Sequence, residues 1–154
     1  MCDAIPYIPF IPEDLGLALK ENSVVLDIGC LGGYGLYDFY RRRLEAGAGM
    51  PRLIGIDPDR ASIEMARRLA QQWDEKGRSA FFSNRAEALA FAGNGCDLVV
   101  ARLLLPYVDI RGALSEIRRV LKPGGGTLFQ LHAFGYYMRQ IKSSSLPLKG
   151  RFYY

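Results

Sequence analysis

Four glycines follow an apolar run in the stretch VVLDIGCLGGYG (24–35), and their spacing is the feature of this sequence that points most directly to chemistry. A turn from a strand into a helix needs few glycines, and each one costs backbone entropy on folding. Gly29, Gly32, Gly33 and Gly35 exceed what the turn alone requires. A ligand that lies against the main chain explains the excess.

The positions of these glycines do not fit two common phosphate-binding motifs. Counted from Gly29, the next glycines fall at +3, +4 and +6, and counted from Gly33, the +5 position is Asp38, so G-x-G-x-x-G is not matched. No Lys-Ser or Lys-Thr pair follows the turn. Asp27 stands on the approach to it, where a negative charge disfavours a diphosphate. The stretch therefore favours a ligand that carries positive charge.

Strand-like and helix-like segments alternate along the chain and must position this turn. Five runs that are mostly apolar on both faces predict strands at 23–29, 52–57, 79–84, 96–101 and 127–133. Apolar residues at helical spacing predict helices at 12–21 and 34–46. Two further helices are predicted to begin after the N-cap residues Asp59 and Asp109, and the last of them is predicted to stop at residues 122–126. Their expected inward stripes are Leu36, Tyr40 and Leu44, then Ile63, Ala66, Leu69, Ala70 and Trp73, then Ile110, Leu114, Ile117 and Leu121.

This alternation predicts an α/β fold. Strands that are apolar on both faces and separated by helices indicate a parallel sheet covered on both sides. Right-handed crossovers then give a doubly wound sheet of at least five strands. Ligands of such sheets bind beyond the carboxyl ends of the strands, near the point where the winding reverses. The glycine stretch follows the first strand and falls at that end.

Four sequence blocks together resemble the class I S-adenosylmethionine-dependent methyltransferases, which have a Rossmann-like fold. The blocks are VVLDIGCLGGYG (24–35), IGIDPD (54–59), CDLVVA (96–101) and RRVLKPGGG (118–126), in the order and at the separations usual for that family. They span about residues 24–133. The resemblance implies S-adenosylmethionine as the cofactor, with no metal ion.

The resemblance also implies a set of cofactor-binding residues. Asp57, at the end of the second strand, is expected to accept hydrogen bonds from both ribose hydroxyls. Asp27 is expected to assist binding of the amino-acid part, and the segment SNRAEALAF (83–91) to border the adenine. The full set is Asp27, Gly29, Cys30, Gly32, Gly33, Asp57, Pro58, Arg85, Ala86 and Arg102.

Two positions depart from the family pattern. Leu31 stands where the family usually has glycine, so that either leucine adopts a strained positive φ or the turn shifts to use Gly32. Arg85 stands where an acidic residue commonly holds the adenine amino group. Glu87 could substitute for that residue, although it is expected to lie about one turn away.

The acceptor side of the predicted site carries no catalytic motif. Methyl transfer from a sulfonium disperses charge, so orientation and exclusion of water matter more than a strong acid or base. The residues available near this edge of the sheet are Arg102, Tyr107, Asp109 and His132. His132 is as well explained by a hydrogen bond at a strand end, and the catalytic residues are unknown at this point.

Composition limits the class of protein. The chain has 154 residues, 49% of them hydrophobic and 23% charged, with a net charge of +4. Nothing approaches the roughly 20 apolar residues of a membrane helix, and the N-terminus does not read as a secretory signal. Three cysteines without metal-ligand spacing fit free thiols. The expected location is therefore cytoplasmic, and no membrane partner is expected. The arginine clusters are spread over three helices and do not form one basic face, which argues against a nucleic-acid partner.

The chain is interpreted as a single domain over residues 1–154. It divides into an N-terminal arm or helix (1–22), a core (23–133) and an irregular tail (134–154). The last strands of the family are expected to be short or missing, which leaves a minimal domain, a fragment, or a chain completed by a partner. An open sheet edge with aromatic residues at 152–154 predicts homo-oligomers.

Three functions are weighed against each other. The leading hypothesis is methyl transfer to an unidentified acceptor, expected to be a small molecule. The second is a non-catalytic S-adenosylmethionine-binding module or partner subunit, favoured by Leu31, Arg85 and the short C-terminus. The third, a nicotinamide-dependent oxidoreductase, shares the sheet but lacks the required glycine spacing.

Overall fold

The computed structural model describes residue 11 and residues 18–131 of the chain. Predictions that concern His132, the tail at 134–154 with its aromatic residues at 152–154, and most of the N-terminal arm lie outside this part. The described end of the predicted leading helix, residues 18–21, is not helical. There the chain turns, because Ser23 N–H donates to the Lys20 carbonyl and Ser23 Oγ accepts from Lys20 N–H, both at 3.0 Å.

Strands and helices alternate as the sequence predicted. In chain order they are β1 (Val24–Ile28), α1 (Tyr34–Glu45), β2 (Arg52–Asp57), α2 (Arg60–Trp73), β3 (Ser79–Ser83), β4 (Cys96–Arg102), α3 (Ile110–Val120) and β5 (Leu121–Gln130), with a short 3-10 helix at Leu105–Tyr107. Asp59 and Asp109 are the predicted N-caps, each accepting two backbone N–H bonds from the first turn of its helix.

The five strands form one parallel sheet in the order β3-β2-β1-β4-β5. Val25 of β1 packs in a core layer with residues of α1 and α2, while the next residue, Leu26, packs in the opposite layer with residues of α3. Helices therefore cover both faces, which confirms the doubly wound α/β fold. The winding reverses between β1 and β4. None of the described helices is long and apolar enough to cross a membrane.

The inward faces of two helices differ from the predicted stripes. Leu44 of α1 is exposed, and the buried residues of that helix are Leu36, Phe39 and Tyr40. Residues eight apart on an α-helix differ in direction by about 80°, so a strict period of four leaves the core after two turns. The predicted stripe of α3 has a helical spacing but lies about one residue away from the buried face. Ile110 and Leu114 are exposed, Ile117 is buried as predicted, and Ala113 and Val120 are buried beside it. The stripe of α2 is confirmed: Ile63, Ala66 and Trp73 are buried, and Leu69 and Ala70 pack against the core.

The last strand begins earlier than predicted. The helix α3 ends at Val120, just before residues 122–126 and close to where it was predicted to stop. Those residues, together with Leu121, already belong to β5, which pairs with β4 at Cys96–Leu121 and again at Leu98–Gly126 with a register shift between. Gly125 is needed there, because a Cβ on it would lie 3.0–3.2 Å from three carbonyl oxygens. The Lys122 ammonium fixes the irregular segment by donating to Asp97 Oδ2 at 2.7 Å.

Candidate functional site

A cavity of about 630 Å³ opens at the carboxyl ends of β1, β2, β3 and β4, on the edge of the sheet where the sequence placed the site. It lies across the reversal point between β1 and β4. Its walls are mostly apolar, and a few charged groups converge in it. The lining residues are Asp27, Ile28, Gly29, Cys30, Leu31, Tyr34, Gly35, Asp57, Pro58, Asn84, Arg85, Ala86, Glu87, Arg102, Leu103, Leu104, Tyr107 and Val108.

The glycine turn is fastened to the neighbouring strand. Gly29 N–H and Cys30 N–H both donate to the Ile56 carbonyl, at 2.8 and 3.0 Å. Gly29 takes a φ of 78°, a left-handed conformation that a side chain would strain. The main chain of this turn therefore forms one wall of the cavity, and at Gly29 no side chain covers it.

Leu31 itself adopts the left-handed conformation, with a φ of 48°. The alternative in which the turn shifts to Gly32 is therefore not what the structure shows, since Gly32 is not among the positive-φ residues. A hydrogen bond helps to hold Leu31 in this conformation: its backbone N–H donates to Asp57 Oδ2 at 3.1 Å. The leucine side chain is 65% exposed at the mouth of the cavity.

Gly32 and Gly33 do not line the cavity. A Cβ on Gly32 would lie 2.8 Å from Met65 Sδ, and one on Gly33 would lie 3.1 Å from both Ala66 and Phe81. These two glycines therefore let the start of α1 pack closely against α2 and β3. The other eight residues of the predicted binding set line the cavity: Asp27, Gly29, Cys30, Asp57, Pro58, Arg85, Ala86 and Arg102.

Asp57 ends β2 as a buried carboxylate with two backbone partners. Oδ2 accepts from Leu31 N–H and Oδ1 accepts from Asp59 N–H at 2.9 Å. A carboxylate oxygen can accept two hydrogen bonds, so each oxygen keeps one acceptor position after these contacts. Asp57 thus presents a fixed, paired acceptor to the cavity.

Asp27 is a buried carboxyl near the end of β1, in register between Gly55 of β2 and Val100 of β4. Burial raises the pKa of Asp27 to about 7; the Arg102 guanidinium opposes the shift and the Asp57 carboxylate adds to it. Near neutral pH this group is therefore close to half ionised. A cation in the cavity would favour its charged form.

Cys30 lies beside these carboxylates and is also buried. Burial raises the pKa of the Cys30 thiol, and the charges of Asp27 and Asp57 raise it further. The thiolate is the nucleophilic form of cysteine, so this thiol stays protonated and unreactive at physiological pH.

Arg102 ends β4 and reaches the edge strand. Its Nε donates to Gln130 Oε1 at 2.5 Å. The next residue, Leu103, takes a φ of 55°, and its N–H donates to the Gln130 carbonyl at 2.7 Å. β5 therefore fixes the position of the cavity wall that follows β4.

The segment after β3 forms the opposite wall. Arg85 is exposed and its Nε lies 3.6 Å from Glu87 Oε2, while Ala86 is buried. Glu87 lines the cavity and is not turned away from it as expected, because a tight bridge between Arg85 and Ala88 folds the segment back on itself. Glu87 Oε1 also accepts from Asp109 N–H at 3.1 Å.

Of the described residues predicted on the acceptor side, two line the cavity and one does not. Arg102 and Tyr107 line the cavity. Asp109 does not, and its carboxylate is occupied in capping α3 through Arg111 N–H and Gly112 N–H. Asn84 lies in the segment expected to border the adenine, whereas sequence reasoning missed several wall residues, namely Tyr34, Leu103, Leu104 and Val108. Their signal was position alone, just after a strand or at the start of a helix.

Comparison with known proteins defines the class. A family model described as "Methyltransferase domain" matches residues 26–129, most of the chain. The chain therefore belongs to this methyltransferase family, which confirms the resemblance to the class I S-adenosylmethionine-dependent enzymes. S-adenosylmethionine is the cofactor of that class.

Curated relatives and solved structures agree with the assignment. The chain is 33% identical over 116 residues to a probable methyltransferase, ltbC, of Aspergillus luteorubrus, covering 70% of this chain and 39% of that protein. It is 28% identical over 110 residues to the sterol 24-C-methyltransferase erg6 of Aspergillus fumigatus, covering 71% and 28%. The chain thus spans well under half the length of either relative.

Among solved structures, the YcgJ protein of Bacillus subtilis superposes with a TM-score of 0.63 at 27% identity, covering 74% of this chain and 46% of that one. A SAM-dependent methyltransferase of Methanosarcina mazei gives 0.62 at 26% identity, covering 80% and 61%. The comparisons lend no support to the non-catalytic alternative.

Proposed function

We propose that this domain binds S-adenosylmethionine in the cavity at the carboxyl edge of the sheet and transfers its methyl group to a small-molecule acceptor. The observation that carries the proposal is the Asp57 carboxylate, which is buried, fixed by two backbone N–H groups and open to the cavity. Membership of the methyltransferase family supports it.

The residues present fit the proposed cofactor. Two acceptor positions on one carboxylate match the two hydroxyls of a ribose, and hydrogen bonds to a charged acceptor are the strong kind. Asn84, Ala86 and Glu87, on the next strand end, offer backbone and carboxylate groups for an adenine. The acid that the family commonly has at position 85 is absent, but Glu87 supplies a carboxylate to the same wall.

The other end of the cavity fits the cationic amino-acid part. Asp27 can hold a negative charge there, and Arg102 lies close enough to lower the pKa of that carboxyl. Gly29 leaves the main chain accessible. This combination of a carboxyl and a guanidinium suits a ligand end that carries both an amino group and a carboxylate.

The bound cofactor would supply a methyl group on a positively charged sulfur. As an electron pair of the acceptor forms a bond to the methyl carbon, the bond between that carbon and the sulfur breaks and leaves a neutral thioether. The chain's own residues contribute orientation and a dry site. Apolar side chains at 103, 104 and 108 line the cavity next to Arg102, where they would help to keep water from a bound acceptor. Such a reaction is accelerated by alignment of the reactants and by exclusion of water more than by an acid or a base.

We also propose that the methyl acceptor is a small molecule. The sterol 24-C-methyltransferase that the chain resembles is named for a sterol, although this chain spans 28% of that protein. The cavity volume suits a cofactor together with part of a small molecule. We further propose that the chain forms a single domain over residues 1–154 and that it acts in the cytoplasm.

The proposal is tested by calorimetry and thermal unfolding with S-adenosylmethionine, S-adenosylhomocysteine and NADH in parallel. A ligand at about 100 times its Kd adds about 2.7 kcal/mol to the free energy of unfolding. For a domain of this size we expect a rise in Tm of roughly 5–10 °C with the two sulfur ligands and none with NADH.

Two matched variants assign that binding to Asp57. Asp57→Asn removes the charge from the paired acceptor and is expected to weaken S-adenosylhomocysteine binding about 100-fold. Asp59→Asn, two residues away, alters a helix cap outside the cavity and should leave the Kd within about twofold. Equal affinities of the two variants, or no binding by the wild type, would contradict the proposal.

A further inference from the structure

Three large apolar side chains stand exposed around the mouth of the cavity. Leu31 is 65% exposed, Tyr34 62% and Tyr107 74%. They come from three separate segments: the turn after β1, the first residue of α1, and the 3-10 helix after β4. Exposed apolar groups that converge on one opening mark a binding surface more often than chance scatter does. We call these three residues the apolar rim.

The wall beneath the rim is apolar and fixed. Leu104 and Val108 pack against the core layer that contains α3, and Leu104 lies so close to the glycine turn that a Cβ on Gly29 would sit 3.3 Å from its Cδ1. Leu103 is held in a left-handed conformation by its bond to the β5 carbonyl at Gln130. Strained backbone of this kind concentrates at ligand sites.

The polar groups of the cavity are distributed unevenly. Asp57 ends β2, and Asn84 and Glu87 follow β3, whereas the cavity-lining residues that follow Arg102 at the end of β4 are apolar. The sheet order puts β2 and β3 on one side of β1 and β4 on the other. A nucleoside bound to the polar half would leave the apolar half, with its rim, open to a second molecule.

We propose that the methyl acceptor is a largely apolar small molecule, with a ring or a branched chain, that packs between Tyr34 and Tyr107 over the wall at residues 103–108. The inference rests on the proposed function, since it takes the polar half of the cavity for the cofactor. Aromatic side chains supply large contact areas at low entropic cost, which suits a rim that must hold an apolar ligand.

The test uses 2-naphthol as the apolar probe and myo-inositol as the polar one, titrated into protein saturated with S-adenosylhomocysteine. We expect 2-naphthol to bind with a Kd of about 1 mM or tighter and myo-inositol not to bind. Tyr107→Ser and Tyr34→Ser should each weaken 2-naphthol about tenfold by removing an aromatic contact. Tyr107→Phe, which keeps the ring, should bind as the wild type does.

Leu44→Ser is the matched control for Tyr34→Ser. Leu44 lies on the same helix and has the same exposure, 62%, but it does not line the cavity. That variant should leave the Kd of 2-naphthol and the Kd of S-adenosylhomocysteine unchanged, and each rim variant is titrated with 2-naphthol only after it has been saturated with S-adenosylhomocysteine.

Three results are distinguishable. The inference is supported if 2-naphthol binding is weakened in Tyr34→Ser and Tyr107→Ser and is unchanged in Tyr107→Phe and Leu44→Ser. Normal S-adenosylhomocysteine binding with equal 2-naphthol affinity in every variant, or with preferential binding of myo-inositol, overturns the inference and leaves the proposed function standing. No binding of S-adenosylhomocysteine overturns both.

Discussion

Leu31 is held in a conformation that costs an L-residue free energy. A left-handed residue other than glycine is destabilised by roughly 1–2 kcal/mol, and the structure gives Leu31 a φ of 48°. We expect Leu31→Gly to raise the free energy of unfolding by a net ~0.5–1 kcal/mol, since glycine also makes the unfolded chain more flexible. Chemical denaturation measures this gain.

Gly33 provides the opposite case in the same turn. Gly33→Ala puts a Cβ at positive φ and within 3.1 Å of Ala66 and Phe81, so it should lower the free energy of unfolding. If Leu31→Gly also destabilises the protein, Leu31 is not strained as we infer.

Asp27 predicts an unusual dependence of stability on pH. Its folded-state pKa of about 7 lies above the ordinary value of 3.8, so the folded protein binds this proton more tightly than the unfolded chain does. By linkage, the contribution of Asp27 to stability increases as pH falls through 7, by about 2–3 kcal/mol between pH 8 and pH 5. Urea unfolding at several pH values should show this rise.

Asp27→Asn removes the titrating group and should flatten the profile between pH 8 and pH 5. Glu116 does not interfere in that window, because its hydrogen bonds with Arg119 hold its pKa at about 2. The stability that Glu116 contributes is lost only at lower pH. A variant that keeps the full wild-type slope between pH 8 and pH 5 would contradict the assignment to Asp27.

At the scale of elements, Arg119 and Glu116 of α3 help to hold one wall of the cavity. Arg119, in the last turn of α3, donates to the carbonyls of Leu89 and Phe91, and its partner Glu116 accepts from Leu89 N–H. These bonds tie α3 to the segment that carries Ala86 and Glu87. The position of that wall therefore depends on a helix that does not itself line the cavity.

We expect Arg119→Ala to speed hydrogen exchange at Leu89 N–H and to weaken S-adenosylhomocysteine binding moderately, because the wall loses its anchor. Arg118→Ala changes the neighbouring residue of the same helical turn, for which no such bond occurs in the described part of the chain. Exchange in Arg118→Ala should match the wild type. Equal exchange rates in both variants would show that the anchor is elsewhere.

The sequence predicted the strands of the sheet better than the inward faces of the helices. β1 and β4 are runs apolar on both faces, a pattern that only a covered parallel strand explains well. The predicted stripe of α1 had a period of four and left the core at Leu44, whereas that of α3 was placed about one residue away from the buried face, which leaves Leu114 exposed. The irregular start of β5 could not be predicted, since it depends on the pairing of Cys96 with Leu121.

At the scale of the whole molecule, the edge that holds the site was predictable and its walls were not. Parallel strands bring their carboxyl ends to one edge, so Asp27, Asp57 and Arg102 had to meet there. Glu87 and Leu103 reach the cavity only through local turns, a bridge in one case and a left-handed residue in the other. Such turns depend on tertiary contacts and leave little trace in the sequence.

The open edges of the sheet bear on the predicted self-association. β3 ends the described sheet on one side, and its Phe82 is exposed. Charged residues on edge strands suppress pairing between sheets. If β3 mediates association, Phe82→Lys should shift the sedimentation profile toward the monomer. Met65→Lys, at an exposed position on α2, should not, and persistent association in Phe82→Lys would place the interface elsewhere.

The partial protonation of Asp27 near pH 7 has a calorimetric consequence. A carboxyl that is close to half protonated near pH 7 gives up its remaining proton when a ligand ammonium settles beside it, because the positive charge favours the ionised form. The buffer takes up that proton, and its heat of protonation, which is the negative of its heat of ionisation, is added to the measured enthalpy. Binding of S-adenosylhomocysteine near pH 7 should therefore release different heats in phosphate and in Tris, and the difference should be lost in Asp27→Asn, which has no carboxyl to titrate.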